Sequence, residues 1–440
     1  MTAGTGEAKI ERAILCKRGR CALGELRKPR GTRDVLPEEA SRWRVLEDRA
    51  RQVAARYGYG ELRTPLFEVT ELFRRGVGED TDIVGKEMYT FLDRKGRDMA
   101  LRPEGTAPAV RAFLEHNLGA GPQPVRLFYL QPAFRYERPE EGRWRQHHQF
   151  GAECFGAAGA AADAEVIALA VDFLRTAGVE DFRLRLNSIG CPACRPAYRA
   201  ALREYYRPLL PLLCADCQER FGQNPLRLLD CKVDTAHATG APRTADHLCS
   251  DCREHLRDLE ALLARLRISF DRDPTLVRGL DYYTRTVFEL ESPRLGSQSA
   301  LGGGGRYDGL VELLGGQPTP AVGCGVGLER TLLALEAGGA PRPAVEPPQV
   351  FVASVGEEYA LEAMGMAHQL RSAGVRVITD PLGRGLKAQM KQAARAGTRW
   401  TVILGEELSR GVLVLRDMAA GVQEEVPAGE LLTRIDKGVV

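Results

Sequence analysis

Phe134-Arg135-Tyr136-Glu137-Arg138, with Arg143-Trp144-Arg145-Gln146-His147-His148-Gln149-Phe150-Gly151-Ala152-Glu153 shortly after it, alternates cations and anions between two strand-like runs, 125–130 and 149–153. A hairpin built this way aims Arg135, Arg138, Arg143 and Arg145 at one place, with carboxylates among them. Arginine carries a planar fork of donors that fits phosphate oxygens two at a time. The carboxylates can hold those forks in register or accept from an amine. Alone, the pattern would describe a solvated, salt-bridged hairpin.

Three further segments supply complementary parts. Arg278-Gly279-Leu280-Asp281-Tyr282-Tyr283 puts a guanidinium, a carboxylate and two phenols on a short run. Gly323-Cys324-Gly325-Val326-Gly327-Leu328-Glu329-Arg330 reads as a small-residue strand feeding a helix over 328–337, where glycine lets backbone approach a ligand. Glu104-Gly105-Thr106 offers a carboxylate and a hydroxyl around a turn. Together these are the parts of a site for an ammonium, a carboxylate and a polyphosphate.

At these residues the chain resembles the class II aminoacyl-tRNA synthetases. The block 134–153 is similar to their motif 2, and 323–330 to their motif 3. Within that class, 278–283, 104–106, Pro29-Arg30-Gly31-Thr32-Arg33-Asp34 and Gly304-Gly305-Arg306-Tyr307-Asp308-Gly309 resemble the histidyl-tRNA synthetase family. The likeness covers roughly 28–440 and rests on several motifs in order. It implies an α+β catalytic core built on an antiparallel sheet, a helical insertion, and an α/β C-terminal domain that binds an anticodon. It also implies a cytoplasmic homodimeric ligase that forms histidyl-adenylate from L-histidine and ATP (Mg2+ being the nucleotide's counter-ion) and esterifies tRNA(His).

The resemblance assigns roles residue by residue. Arg135, Arg278 and Arg330 are the catalytic cations around the α-phosphate, with Arg278 standing where many class II enzymes use a metal ion; no catalytic metal is expected. Preorganised charge of this kind is usually the largest catalytic contribution. Glu137, Arg143, His147, Arg135 and Arg330 meet ATP. Glu104, Thr106 and Gln149 hold the histidine ammonium, and Gly105, Arg135 and Arg278 belong to the same histidine-binding set. Glu153 and Tyr283 read the imidazole, which offers one donor and one acceptor when neutral. Tyr282 lines the same cavity, as does Tyr307 unless it is a core aromatic with a satisfied hydroxyl. Two positions depart from the pattern: His147 stands where a phenylalanine normally stacks on adenine, and Trp144 where a tyrosine is usual. Protonation of His147 would make ATP affinity depend on pH.

Stepping out from the site, the spacing predicts a helix over 38–57 and a strand over 60–65, resembling motif 1 and its dimer interface. A helix follows at 163–178 and a strand at 181–187. The domains expected are an extension over 1–27, a catalytic domain over 28–335 with a cysteine-rich helical insertion at 191–266, a Gly/Pro linker at 336–349, and the anticodon-binding domain at 350–440. In the last, strands at 350–355, 375–380 and 401–404 alternate with a helix ending at 373 and another over 386–396, a βαβαβ unit. Arg384, Lys387, Lys391, Arg395 and Arg399 are spaced to gather on or near one helix there.

Composition bounds the partners. Lys+Arg 61 against Asp+Glu 59 leaves a net charge of +2, so RNA would be met by local basic patches rather than a global field. No apolar run approaches the roughly 18 residues of a membrane span, and 1–27 lacks the apolar core of a signal peptide. Seven of the 11 cysteines fall between 191 and 252: Cys191, Cys194, Cys214, Cys217, Cys231, Cys249 and Cys252. Three CxxC pairs have the spacing of zinc ligands, and two of them would close one tetrahedral site. Reduced thiols are the competing reading, and disulfides are disfavoured without a secretion signal. Cys16, Cys21, Cys154 and Cys324 read as small apolar fillers or exposed thiols. Two other readings are a regulatory subunit that binds histidine or a transferase without activating it, and an amino-acid sensor or RNA-binding module with a dead site. Such relatives typically lose the C-terminal domain or catalytic arginines, whereas 350–440, Arg135 and Arg278 are present here.

Overall fold

A computed structural model describes residues 26–79, 81–231, 233–340 and 346–436. Most of the 1–27 extension, with Cys16 and Cys21, and the middle of the 336–349 linker lie outside the described residues. The chain divides into two units, one up to Pro343 and one from Ala344.

The first unit is organised by an eight-stranded sheet: β1 (Gly60–Glu61), β5 (Val125–Phe134), β6 (Gln146–Phe155), β7 (Arg183–Ser188), β8 (Asp271–Arg272), β9 (Thr284–Glu291), β10 (Ala300–Arg306) and β11 (Ala321–Gly327). Their order is β1-β5-β6-β11-β10-β9-β7-β8. The pairs from β5 across to β7 are antiparallel, and only the two edge strands pair in parallel. A separate sheet, β2-β4-β3, is formed by β2 (Phe67–Val69), β3 (Thr90–Leu92) and β4 (Asp98–Leu101).

Strand alternation divides the large sheet into a greasy face and a chemical face. Phe128 on β5, Phe150, Ala152 and Cys154 on β6, Phe288 and Leu290 on β9, and Val322, Cys324 and Val326 on β11 all point one way. The helices Pro37–Arg56, Ala160–Ala177 and Ser250–Arg265 cover them with Trp43, Leu46, Val53, Ile167, Phe173, Leu259 and Leu263. Cys154 and Cys324 are thus core fillers, 1% and 4% exposed. The opposite face carries Gln149, Glu153, Glu289 and the glycines at 323, 325 and 327.

Behind the chemical face, Arg306 is fully buried. Its Nε lies 3.2 and 3.1 Å from the two oxygens of Asp163, its Nη1 donates to Ala157 O and Asp308 Oδ1 (2.9 and 3.0 Å), and its Nη2 to Gly159 O. His255 Nε2 lies 3.3 Å from the same aspartate. This knot ties β10 to the start of the Ala160–Ala177 helix.

Residues 195–265 are built from helices Arg195–Tyr206, Ala215–Gln223, Thr235–Thr239 and Ser250–Arg265. Two of the CxxC pairs, Cys191/Cys194 and Cys249/Cys252, meet at one place, as the spacing allowed, and a second cluster that it did not predict forms as well. The seven cysteines separate in this way because the chain folds the outer pairs together and leaves Cys214 and Cys217 to meet Cys231 and Asp234.

The second unit has one sheet ordered β13-β12-β14-β15-β16: β12 (Val350–Ser354), β13 (Val377–Thr379), β14 (Trp400–Leu404), β15 (Val412–Asp417) and β16 (Gln423–Pro427). Helices Ala360–Ser372 and Leu386–Ala396 make the parallel crossovers. The βαβαβ pattern extends into an antiparallel hairpin, β15–β16, that the sequence reading did not include. Lys387, Lys391 and Arg395 recur every fourth residue and form one exposed helix stripe. Arg384 and Arg399 do not add free charge to it: Arg384 pairs with Asp380 at 2.8 Å, and Arg399 lies 3.8 Å from Asp417 over the Trp400 ring.

Candidate active site

Two connected cavities lie on the chemical face. A pocket is lined by Glu104, Gly105, Thr106, Tyr129, Tyr282, Tyr283 and Tyr307. A cleft of about 220 Å³ is lined by Arg143, Trp144, His147, Glu289, Glu329 and Arg330. Arg135, Gln149, Arg278 and Gly325 border both. Two guanidiniums therefore stand at the junction, each reaching it from a different part of the sequence. Arg135 ends the β5 hairpin arm and donates from Nε to Pro103 O at 2.9 Å. Arg278 lies against β9, paired to Glu289, and not to its sequence neighbour Asp281, which accepts from Asn224 Nδ2 at 2.8 Å. A Cβ on Gly303 would stand 2.9 Å from Arg278 Nη1, so glycine there lets the guanidinium lie flat on the sheet.

The pocket narrows onto Glu153, which is fully buried. Tyr307 OH donates to its Oε2 at 2.5 Å, while Tyr129 OH and Thr106 Oγ1 donate to Oε1 at 2.9 and 2.8 Å. Burial, against the three hydroxyls, pushes its carboxyl up to about 8. A side chain on Gly323 would fall on this carboxylate. Glu153 thus does not line the cavity, contrary to the sequence reading, because Tyr129, Tyr307 and Thr106 roof it. An O–H that donates inward turns its lone pairs outward, so the buried carboxyl group presents acceptor oxygens to the pocket. Tyr307 is both alternatives at once, a 1%-exposed aromatic with a satisfied hydroxyl and a lining residue. Tyr129 was missed by the sequence reading. Its signal was a large aromatic placed in register with Gly151, over which the ring lies.

Glu104 is also buried, and it accepts from the N–H groups of Thr106 (2.6 Å) and Ala107 (2.8 Å) at the start of the Thr106–Glu115 helix. Burial raises its carboxyl, while those N–H groups and Arg135 act the other way. The helix terminus fixes the carboxylate, whose remaining lone pairs suit an ammonium.

In the cleft, Arg330 donates to Gly142 O (2.9 Å) and Ala300 O (2.7 Å), fastening the turn of the β5–β6 arm. Glu137 does not face the cleft as expected, since it is drawn behind it into an ion pair with Arg143. Arg138 is not among the lining residues, and Arg145 stacks on Tyr136 at 3.8 Å instead of joining the site. Glu329, unassigned by the sequence reading, receives the His148 N–H (2.9 Å) and meets His148 Nδ1 (2.9 Å). The 29–34 segment packs onto the arm, with Arg145 N donating to Gly31 O at 2.8 Å and Arg33 set between the Trp43 and Trp144 rings at 5.7 and 5.6 Å.

His147 corrects another expectation. Enclosure first, then the facing Arg135 and Arg330, hold its imidazole well below the usual range, so it is neutral at physiological pH. Protonation of this ring is thus disfavoured in the free site. His147→Phe should keep adenylate formation within a few-fold, and its ATP KM should follow the wild-type profile from about pH 6 to 8. Steady-state exchange kinetics across that range check this, and a hundredfold loss would expose a specific role for the imidazole.

The arrangement matches known proteins along nearly its whole length. A sequence model described as histidyl-tRNA synthetase matches residues 31–193 and 223–331. The chain belongs to the histidyl-tRNA synthetase family. A second model, the anticodon binding domain, matches 349–438. The histidine–tRNA ligase of Moorella thermoacetica is 55% identical over 91% of this chain and 95% of its own, and that of Pelotomaculum thermopropionicum 53% over the same shares. The crystal structure of apo histidyl-tRNA synthetase from S. aureus is 36% identical, with a TM-score of 0.79 over 93% of this chain and all of the other. The fold is accordingly that of a class II synthetase core joined to an anticodon-binding domain. The stretch 194–222, carrying Cys194, Cys214 and Cys217, falls between the two segments of the family match.

Proposed function

We propose that the two cavities hold histidine and ATP end to end, and that their junction is where the adenylate forms. The chain is a histidine–tRNA ligase. A histidine carboxylate oxygen attacks the α-phosphorus, the bond from that phosphorus to the bridging oxygen breaks, and pyrophosphate leaves with the electron pair. A hydroxyl of the terminal adenosine of tRNA(His) then attacks the acyl carbon, and AMP departs. The observation that carries this is that Arg135 and Arg278 border both cavities. Negative charge gathers at that junction in the transition state, and fixed cations need no reorganisation to meet it. Arg330 and Arg143 hold the nucleotide, which enters with Mg2+ as counter-ion, and His147 lies along the adenine. Glu104, Thr106 and Gln149 receive the ammonium. The ring N–H is accepted at the Glu153 end, through hydroxyls the carboxylate has oriented, and Tyr283 meets the other nitrogen. A site of paired donors and acceptors rejects side chains that leave them unpaired.

The test is amino-acid-dependent ATP–pyrophosphate exchange with all twenty amino acids. Exchange with histidine alone supports the reading; none with folded protein would make the chain a binding subunit.

The C-terminal unit supplies the RNA contact through Lys387, Lys391 and Arg395. Replacing all three with alanine should lower tRNA charging about tenfold or more at moderate salt and flatten its salt dependence. Pyrophosphate exchange should be unchanged, which separates an RNA contact from general damage.

A second copy of the chain covers the small β2-β4-β3 sheet. Phe67, Val69 and Leu92 there are 53%, 49% and 70% exposed, with Leu66 and Phe91 beside them, an apolar patch that water does not favour. Sedimentation should give about twice the 48.3 kDa chain mass, and Leu92→Asp should shift it toward a single chain. A monomeric wild type would end this part of the reading. The working place of such a ligase is the cytoplasm; among the described residues no helix is long and apolar enough to cross a membrane.

A further inference from the structure

The two cysteine clusters lie outside the catalytic cavities, and their geometry is that of metal cages. In the first, Cys191 Sγ is 3.6 Å from Cys194 Sγ and 3.9 Å from Cys249 Sγ, with Cys252 completing the group. In the second, Cys214 Sγ is 3.7 Å from Cys231 Sγ, which is 3.5 Å from Asp234 Oδ2, with Cys217 as the fourth member. All four candidate ligand atoms in each cluster lie within 4.8 Å of one another. A tetrahedron with Zn–S bonds of about 2.3 Å has edges of about 3.8 Å, and these separations fit it. A disulfide would need about 2.05 Å between one pair of sulfurs and would leave the other two unused.

The surroundings favour bound thiolates. The Cys249 N–H points at Cys194 Sγ (3.1 Å) and the Asp234 N–H at Cys231 Sγ (3.3 Å), while Cys214 N donates to Asp234 Oδ2 (3.1 Å). Such hydrogen bonds orient ligands and spread their charge. Gly190, at φ +70°, turns the chain into the first knuckle, and a Cβ there would stand 2.7 Å from Cys194 Cβ.

We propose that each chain binds two structural zinc ions, one at Cys191, Cys194, Cys249 and Cys252 and one at Cys214, Cys217, Cys231 and Asp234, and that together they fasten the 191–266 segment against the 278–283 loop. The first ion sits where this segment leaves the sheet and where its last helix, Ser250–Arg265, begins. Ile189 N donates to Arg285 O and Arg285 N to Gly190 O, at 2.8 and 2.9 Å, and Arg195 donates to the Tyr283 carbonyl. The second ion closes the turn that presents Asn224 to Asp281, with Arg220 and Arg227 on Asp82 at 2.8 and 2.9 Å. Each thiol gives up its proton on binding, so the thiolates and the aspartate leave both sites with the same formal charge. The segment already packs Tyr198, Leu202, Tyr206, Leu226 and Leu228 into a buried cluster, and the ions pin the chain ends and turns around it.

The experiment is elemental analysis of the full-length chain purified without added metal. About two equivalents of zinc per chain are expected. Cys194→Ser with Cys252→Ser should remove about one, and Cys217→Ser with Cys231→Ser the other, each independently. The second double variant should also raise the histidine KM of pyrophosphate exchange several-fold more than it lowers kcat, through the lost seat of Asp281. Should the variants not fold, the wild type still decides. Zinc released on mercurial titration of the thiols should reach about two equivalents, and cobalt-reconstituted protein should show the absorption of tetrahedral thiolate sites. Zinc below half an equivalent, iron in its place, or a single site shared by both clusters would overturn the proposal.

Discussion

Arg278→Ala should lower histidine-dependent pyrophosphate exchange by about two to three orders of magnitude, chiefly in kcat, because in the proposed arrangement its charge meets the α-phosphate most strongly in the transition state. Arg278→Lys should recover only part of this, since an ammonium cannot offer two parallel N–H donors to carboxylate and phosphate together. The substitution also takes the nearer partner from Glu289, which keeps Arg185 at 3.5 Å. A carboxylate only partly neutralised would then face the nucleotide cleft and raise the ATP KM. Arg278→Ala/Glu289→Gln should therefore recover ATP binding but not turnover. A single variant within tenfold of wild type would remove Arg278 from the chemistry.

Arg306→Met should cost about 3–5 kcal/mol, the usual penalty for breaking a buried ion pair from one side. Asp163 is fully buried and would keep only His255 as a partner, while the carbonyls of Ala157 and Gly159 would each lose a donor. A fall of about 10 °C in the melting temperature of the first unit is expected. Replacing both partners, Arg306→Met with Asp163→Leu, should destabilise less than the single change, because no buried charge is then stranded. If the single change costs under about 1 kcal/mol, the knot is not what holds β10. Activity should fall along with stability, since Tyr307 follows Arg306 directly and reaches Glu153.

These two arginines show what the sequence could and could not reveal. Arg278 was legible because it sits in a compact run whose residue types announce anion chemistry. Its partner Glu289 was not, because it lies on the next strand and is met only after the chain turns back. The helices 328–337 and 386–396 were read to the residue, the first where a strand hands over directly and the second where an amphipathic run follows Gly385. The hairpin β15–β16 was not, because Gln423, Glu424 and Glu425 are all exposed and leave one strand without apolar alternation. Glu137 and Glu153 were read with the correct neighbours but at the wrong depth. Spacing tells which side chains share a region, whereas hydroxyl roofs and ion pairs decide which of them meets solvent. The second cysteine cluster escaped for a related reason: Cys231 lacks a CxxC partner, and its fourth companion is a carboxylate.

The sharing of Arg135 and Arg278 by both cavities has a thermodynamic consequence. With the two substrates seated as proposed, histidine's carboxylate and the α-phosphate would draw on the same two cations, so occupancy of one cavity would change the field felt in the other. By linkage, the factor by which bound ATP alters histidine affinity is the factor by which histidine alters that of ATP. An alcohol analogue, lacking the carboxylate, leaves both guanidiniums to the nucleotide. Its cooperativity with ATP should therefore be more positive than that of histidine, and the difference gauges the repulsion that adenylate formation relieves.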